Sequence, residues 1–85
     1  MLFKIIRAVQ LETLSIRITF EQSEDFPCEA MTEHADAVED AVRNEYEGTD
    51  KPADIIAFEI ADRYRRVECV EVEDEAGDVI CCECC

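Results

Sequence analysis

The apolar period of this chain changes twice, and that change limits the folds open to it. Leu14, Ile16, Ile18 and Phe20 alternate with Ser15, Arg17, Thr19 and Glu21. A period of two marks a strand with one buried face. Met31, Ala35, Val38, Val42 and Tyr46 then recur at steps of three and four, the period of an amphipathic helix. After Arg66 the period returns to two: Val70 and Val72 face one side, and Cys69, Glu71 and Glu73 face the other.

The remaining segments follow from these anchors. Residues 3–9 read as a strand with Phe3, Ile5, Val9 and Leu11 on one face. The break at residues 10–13 suggests a hairpin to the second strand, although no glycine fixes the turn; one long bent strand is the alternative. Residues 23–27 are loop. A helix is expected over residues 32–47, with Gly48 at its C-terminal cap. Thr49 or Asp50 can cap a second helix with Pro52 in its first turn, and Ile55, Ile56, Ile60 and Tyr64 form its buried stripe. Residues 74–78 make a hairpin turn with Gly77 for positive φ, and residues 79–85 return. Pairing Val72 with Ile80 puts Val70 opposite Cys82 on the core face and turns Cys81, Glu83 and Cys85 outward. The fold class is therefore α+β, in the order ββααββ. It is an antiparallel four-stranded sheet with two helices packed on one face. At 85 residues the chain has room for a single domain, 1–85.

Charge is laid over this pattern unevenly. The net charge is −14, yet 48% of residues are hydrophobic, so the acidity belongs to the surface of an ordinary core. Fourteen Asp and Glu lie between residues 21 and 62, against two bases, Arg43 and Lys51. The first twenty residues carry Lys4, Arg7 and Arg17 against Glu12 alone. On a helical wheel Glu29, Glu33, Asp36, Asp40 and Glu47 fall on one line opposite the apolar stripe, with Glu39 beside them. Asp50 and Asp54 extend the field toward the second helix. Neighbours on such a row are about 5–6 Å apart at Cβ. One strand of duplex DNA carries a charge per roughly 3.4 Å of axis. A rigid row of carboxylates can therefore imitate a phosphate backbone. A solvated face without a partner and adaptation to high salt are the competing readings; the basic N-terminal hairpin favours a directed surface over a general one.

Size, charge and the row from Glu29 to Glu47 resemble the small acidic phage proteins that act as anti-CRISPR and anti-restriction DNA mimics. That resemblance implies a non-enzymatic inhibitor acting in a host cytoplasm. Its partner would be a basic nucleic-acid-binding protein or complex. A second resemblance, to the tunnelling-fold pterin synthases, rests on the ββααββ order and on Pro52–Ala57 leading to Val70–Glu73. It implies that Glu73 matches a pterin-anchoring glutamate. The zinc histidines of that family have no counterparts in residues 3–20, so its chemistry is not carried over.

Other chemistry is sparse. Cys81, Cys82, Cys84 and Cys85 invite a thiol or metal-binding module, because thiolates hold zinc and Cu(I) well. Alternation along a strand separates them, however, and packing of Cys82 and Cys84 in the core is the expected role. Cys69, Cys81 and Cys85 are expected outward, as thiols in a reducing cytoplasm. His34 is expected on an exposed helix turn. Asp74, Glu75 and Asp78 are expected as a solvated turn and not a Ca²⁺ loop. No G-x-S-x-G, P-loop, dinucleotide or H-E-x-x-H pattern occurs, so neither an enzyme nor a cofactor is expected. No apolar run suits a signal peptide or a membrane span. A negative surface disfavours direct contact with nucleic acid or anionic lipid. A sheet edge offers a route to a homodimer.

Overall fold

Two β-hairpins flank a pair of helices in the computed structural model, which describes residues 5–21 and 28–84. The elements are β1 (Ile5–Gln10), β2 (Ser15–Phe20), α1 (Cys28–Tyr46), α2 (Ala53–Arg63), β3 (Val67–Glu73) and β4 (Val79–Cys84). They form one four-stranded sheet in the order β1-β2-β3-β4, every pair antiparallel. This is the expected ββααββ, α+β arrangement. Phe3, the loop at 23–27 and Cys85 lie outside the described residues.

The alternating residues do what their period requires. Val9, Ile16, Ile18, Phe20, Val70 and Val72 point to one face of the sheet and are fully buried. The helices cover that face, α1 lying against β1, and α2 against β3 and β4. Met31, Ala35, Val38, Val42 and Tyr46 close the core from α1; Ile56, Ala57 and Ile60 close it from α2. Burial of a large aliphatic side chain is worth about 1.5–3 kcal/mol, so this face fixes the architecture. The opposite face of the sheet carries Ile6, Ala8, Arg17, Thr19, Cys69, Glu71 and Cys82, and among the described residues no helix lies over it.

The turns are as expected at both hairpins. The Leu11 N–H donates to the Leu14 carbonyl at 2.8 Å, so β1 and β2 are a hairpin and not one bent strand. In the β3–β4 turn the Asp74 Oδ1 accepts from the N–H groups of Ala76 and Asp78 at 2.9 and 3.0 Å. Gly77 takes φ +88°, a conformation that side chains with a Cβ rarely adopt. The Asp74 carboxylate closes the turn and is committed to the backbone.

Four local expectations are corrected. α1 begins at Cys28, one turn before residue 32, so Glu29 is helical. α2 has Pro52 at its N-cap in an extended conformation. Thr49 does not cap α2; its hydroxyl donates back to the Tyr46 carbonyl at 2.9 Å and finishes α1. Ile55 is exposed, because the face of α2 turned to the sheet follows Ala53, Ile56, Ala57 and Ile60, and Ile55 lies off that stripe. The β3–β4 register is also shifted. Val72 pairs with Cys81, and Glu73 with Val79, leaving Ile80 as the extra residue of a bulge. One extra residue inverts the parity of everything beyond it. Cys81 therefore packs against the core, Cys82 is exposed, and Glu83 lies across from Val70 on the helix side.

A polar cluster joins the helices at the end of the core. The Tyr46 hydroxyl donates to Glu59 Oε1 at 2.7 Å, while its ring is buried. Lys51 Nζ donates to Glu59 Oε1 and Oε2 at 3.0 and 3.3 Å and stands 5.5 Å from the Tyr46 ring centre. Arg63 pairs with Glu45 alongside. The Tyr46 hydroxyl bond first, and Lys51 second, hold the Glu59 carboxyl below its ordinary range. Burial, and then the bond to Glu59, push the Tyr46 phenol up.

A depressed carboxyl stabilises the fold above its unfolded pKa and loses that contribution as pH falls through the lowered folded value. Tyr46→Phe should lower the melting temperature by roughly 5 °C at pH 7. The gap from wild type should close in acid, as Glu59 protonates; thermal melts of the two proteins across pH 7 to 2.5 check this. In the β3–β4 turn, Asp74→Ala should cost about 1–2 kcal/mol in urea unfolding, with Asp74→Asn retaining most of the stability.

Candidate functional site

The acidic row stands on the outward face of α1. Glu29, Glu33, Asp36, Asp40 and Glu47 are all exposed, as are Asp50 and Asp54 beyond the helix. At about 1.5 Å of rise per residue, Glu29 to Glu47 spans about 27 Å. The row is rigid because the opposite face of the same helix, Met31 to Tyr46, is buried over its whole length. Glu39 is half-buried and sits at the flank of the line, as the helical wheel places it.

Three-dimensional pairing divides the row into two kinds of carboxylate. Arg7 reaches from β1 to Asp36, with both Nε and Nη2 3.1 Å from Oδ1. Arg43 lies 3.8 Å from Glu39 and 3.5 Å from Asp40. Among the described residues, Glu29, Glu33, Glu47, Asp50 and Asp54 make no ion pair. The pairs themselves are weak. The side chains of Asp36 and Asp40 are 60% and 71% exposed, and exposed ion pairs contribute about 0–1 kcal/mol. An incoming cation can displace either arginine at little cost.

The basic N-terminal hairpin is therefore not a separate pole. Arg7 touches the acidic row, and Arg17 lies 3.7 Å from Glu73 on the open face of the sheet. Neither contact could be read from sequence, because each joins residues far apart in the chain. That contact leaves Glu73 paired with an arginine on the open face of the sheet.

Asp54 is not in line with the helix. It is close enough to Cys81 on β4 to help hold that thiol up, after burial as the first cause and ahead of Glu83. The row thus runs from Glu29 to Asp50, and Asp54 belongs to the β4 side. His34 also departs from expectation. It is half-buried, with Nε2 donating to the Arg65 carbonyl at 2.8 Å and its ring edge-on to Phe20 at 5.8 Å. It tethers α1 to the chain entering β3. Because the Nε2 proton is needed for that bond, His34 is committed to structure.

The cysteines divide by face. Cys81 is half-buried against the core, whereas Cys82 is exposed on the open face. Cys69 is disulfide-bonded, contrary to the expectation of a thiol. Among the described residues no three His, Cys, Asp or Glu side chains are arranged to hold a metal ion. A pocket of about 100 Å³ lies between the β1–β2 turn and the α1–α2 junction, lined by Leu11, Leu14, Tyr46, Asp50 and Ile56. Small-molecule sites usually run to about 300–1,000 Å³. Among the described residues no helix is long and apolar enough to cross a membrane.

Comparison with protein-family models, with curated proteins and with solved structures finds no match to this chain.

The weak pairing makes a measurable prediction. Arg7→Ala should change unfolding free energy by less than about 1 kcal/mol, with α1 unchanged by circular dichroism. It should also raise the negative potential at Asp36, seen as slower migration on an anion exchanger's salt gradient.

Proposed function

We propose that this protein is a non-enzymatic acidic inhibitor that occupies a basic nucleic-acid-binding surface of a partner protein. The observation that carries the reading is the exposed carboxylate line from Glu29 to Glu47 on one face of a rigid helix, continuing to Asp50. The residues assigned to contact are Glu29, Glu33, Asp36, Asp40, Glu47 and Asp50, with Glu39 at the flank and Asp54 on the β4 side. A counter-defence role of the anti-CRISPR kind is the setting in which such a decoy has a use.

Successive acids on the row rise by about 4.5–6 Å along the axis from Glu29 to Asp40. That is the scale on which a basic groove presents Lys and Arg to phosphates. Like charges at this spacing destabilise a helix by a few tenths of a kcal/mol per pair. Arg7 relieves Asp36 and Arg43 relieves Asp40, while Glu29, Glu33 and Glu47 keep no such pair among the described residues. A surface that serves only solubility has no need of one sign; mixed charges serve it with less repulsion. Attraction to a cationic groove would be long-ranged and would fall steeply with salt.

The test is capture of basic nucleic-acid-binding proteins on the immobilised chain. Binding should be strong at about 50 mM salt and weak by about 200 mM, and duplex DNA should compete for it. The triple variant Glu29→Lys, Glu33→Lys and Asp40→Lys should lose binding by at least tenfold with its circular dichroism unchanged. Equal capture by the triple variant would sink the reading.

A further inference from the structure

The pocket between the β1–β2 turn and the α1–α2 junction adjoins the end of the acidic row. Leu11 and Leu14 of the turn, Tyr46 of α1 and Ile56 of α2 form its apolar floor. Glu12 and Asp50 stand at its rim, both exposed. Neither carboxylate makes an ion pair among the described residues. The described lining contains no Lys or Arg. Lys51, next to Asp50 in the chain, is paired with Glu59.

We propose that this pocket seats one arginine side chain of the partner protein, the anchor that fixes the partner's place along the row. The inference rests on the decoy reading for the partner, and on the pocket's own chemistry for the occupant. A long basic side chain has an apolar stem and a charged head. Floor and rim offer those two surfaces in that order. Arginine suits the rim better than lysine. Its flat fork of five N–H donors can serve two separate carboxylates, whereas an ammonium is a compact point charge. The volume of about 100 Å³ agrees. It exceeds the roughly 30 Å³ share of one water and falls short of the about 300–1,000 Å³ of a drug-sized site, which leaves a single side chain.

Both walls are fixed without the occupant. The Leu11 N–H bond to the Leu14 carbonyl closes the turn at 2.8 Å. The Thr49 N–H and hydroxyl both donate to the Tyr46 carbonyl, at 3.2 and 2.9 Å, and set the path of the chain toward Asp50. Gly48 makes the bend with φ +78°, which a residue with a Cβ adopts only at a cost. A preformed site loses little to ordering of its own chain on binding. Interface energy is concentrated in a few residues seated in pockets, with arginine prominent among them. Asp50 belongs to both rim and row, so an arginine held here sits at the row's last carboxylate. An apolar side chain or a neutral molecule would leave both carboxylates unserved.

The probe is Nα-acetyl-L-argininamide, titrated into isotope-labelled protein and followed by amide NMR at about 150 mM salt, where exposed charges are screened beyond about 8 Å. Shifts at residues 11–14 and 48–50 should saturate together with a Kd of about 1–10 mM, the range of one isolated side chain. Nα-acetyl-L-citrullinamide, which has the same shape without the charge, should bind at least about fivefold more weakly. Glu12→Gln combined with Asp50→Asn should weaken the arginine probe by about fivefold, with circular dichroism unchanged. The triple lysine variant of the row should bind the probe within about threefold of wild type, so failure of the pocket is read apart from failure of the row. Equal binding of the citrulline compound overturns the proposal. So do unchanged binding in the double variant, shifts spread along α1 with none at residues 11–14, or no saturation by about 50 mM.

Discussion

The acidic face of α1 exists because the other face of the same helix is buried. Taken alone, a helix bearing Glu29, Glu33, Asp36 and Asp40 at three- and four-residue steps is weakened by like-charge repulsion of a few tenths of a kcal/mol per pair. Against this stand Met31, Val38, Val42 and Tyr46, each worth about 1.5–3 kcal/mol when removed from water. The apolar stripe wins by several-fold, and the helix forms despite its charges. The surplus from the sheet contact is what allows the carboxylates to be displayed in a fixed row.

The junction of the helices gives that row its fixed end. Tyr46 is the last buried residue of α1, and its hydroxyl reaches Glu59 on α2. Lys51 fills the same site from the connecting segment. A cation next to Asp50 in the chain is thereby paired with Glu59 of α2. Local composition places Lys51 among the acids of the surface, and the fold gives it one of them, Glu59, as its partner.

Much of this was legible in the chain itself. The stripes at Ile16, Ile18 and Phe20 and at Met31 to Tyr46 have only one period each, so strand, helix and buried face followed together. The exposed row followed from the same wheel. What was not legible depended on single residues or on distance. Ile80 bulges, and that one displacement exchanged the places of Cys81 and Cys82. Ile55 lies off the buried stripe of α2 while Ala57 lies on it, and hydropathy alone favours the larger residue. The Arg7–Asp36 pair joins β1 to α1 across 29 positions, and no local pattern encodes it. The disulfide at Cys69 lay hidden behind the assumption that every thiol stays reduced.

The bulge has one more effect, on the outer margin of the sheet. β4 is rich in Val, Ile and Cys and has neighbours on one side only, which makes it a template for strand addition by other chains. By inverting parity, the bulge places Glu83 opposite Val70, on the side where the sheet meets its helices. A strand arriving at this edge would have to set its own apolar residues beside that carboxylate. Glu83 is exposed there, and a charge on an edge strand is one way natural sheets avoid fibril growth. The irregularity that separates Cys81 from Cys82 thus also sets a charge on an edge of the sheet.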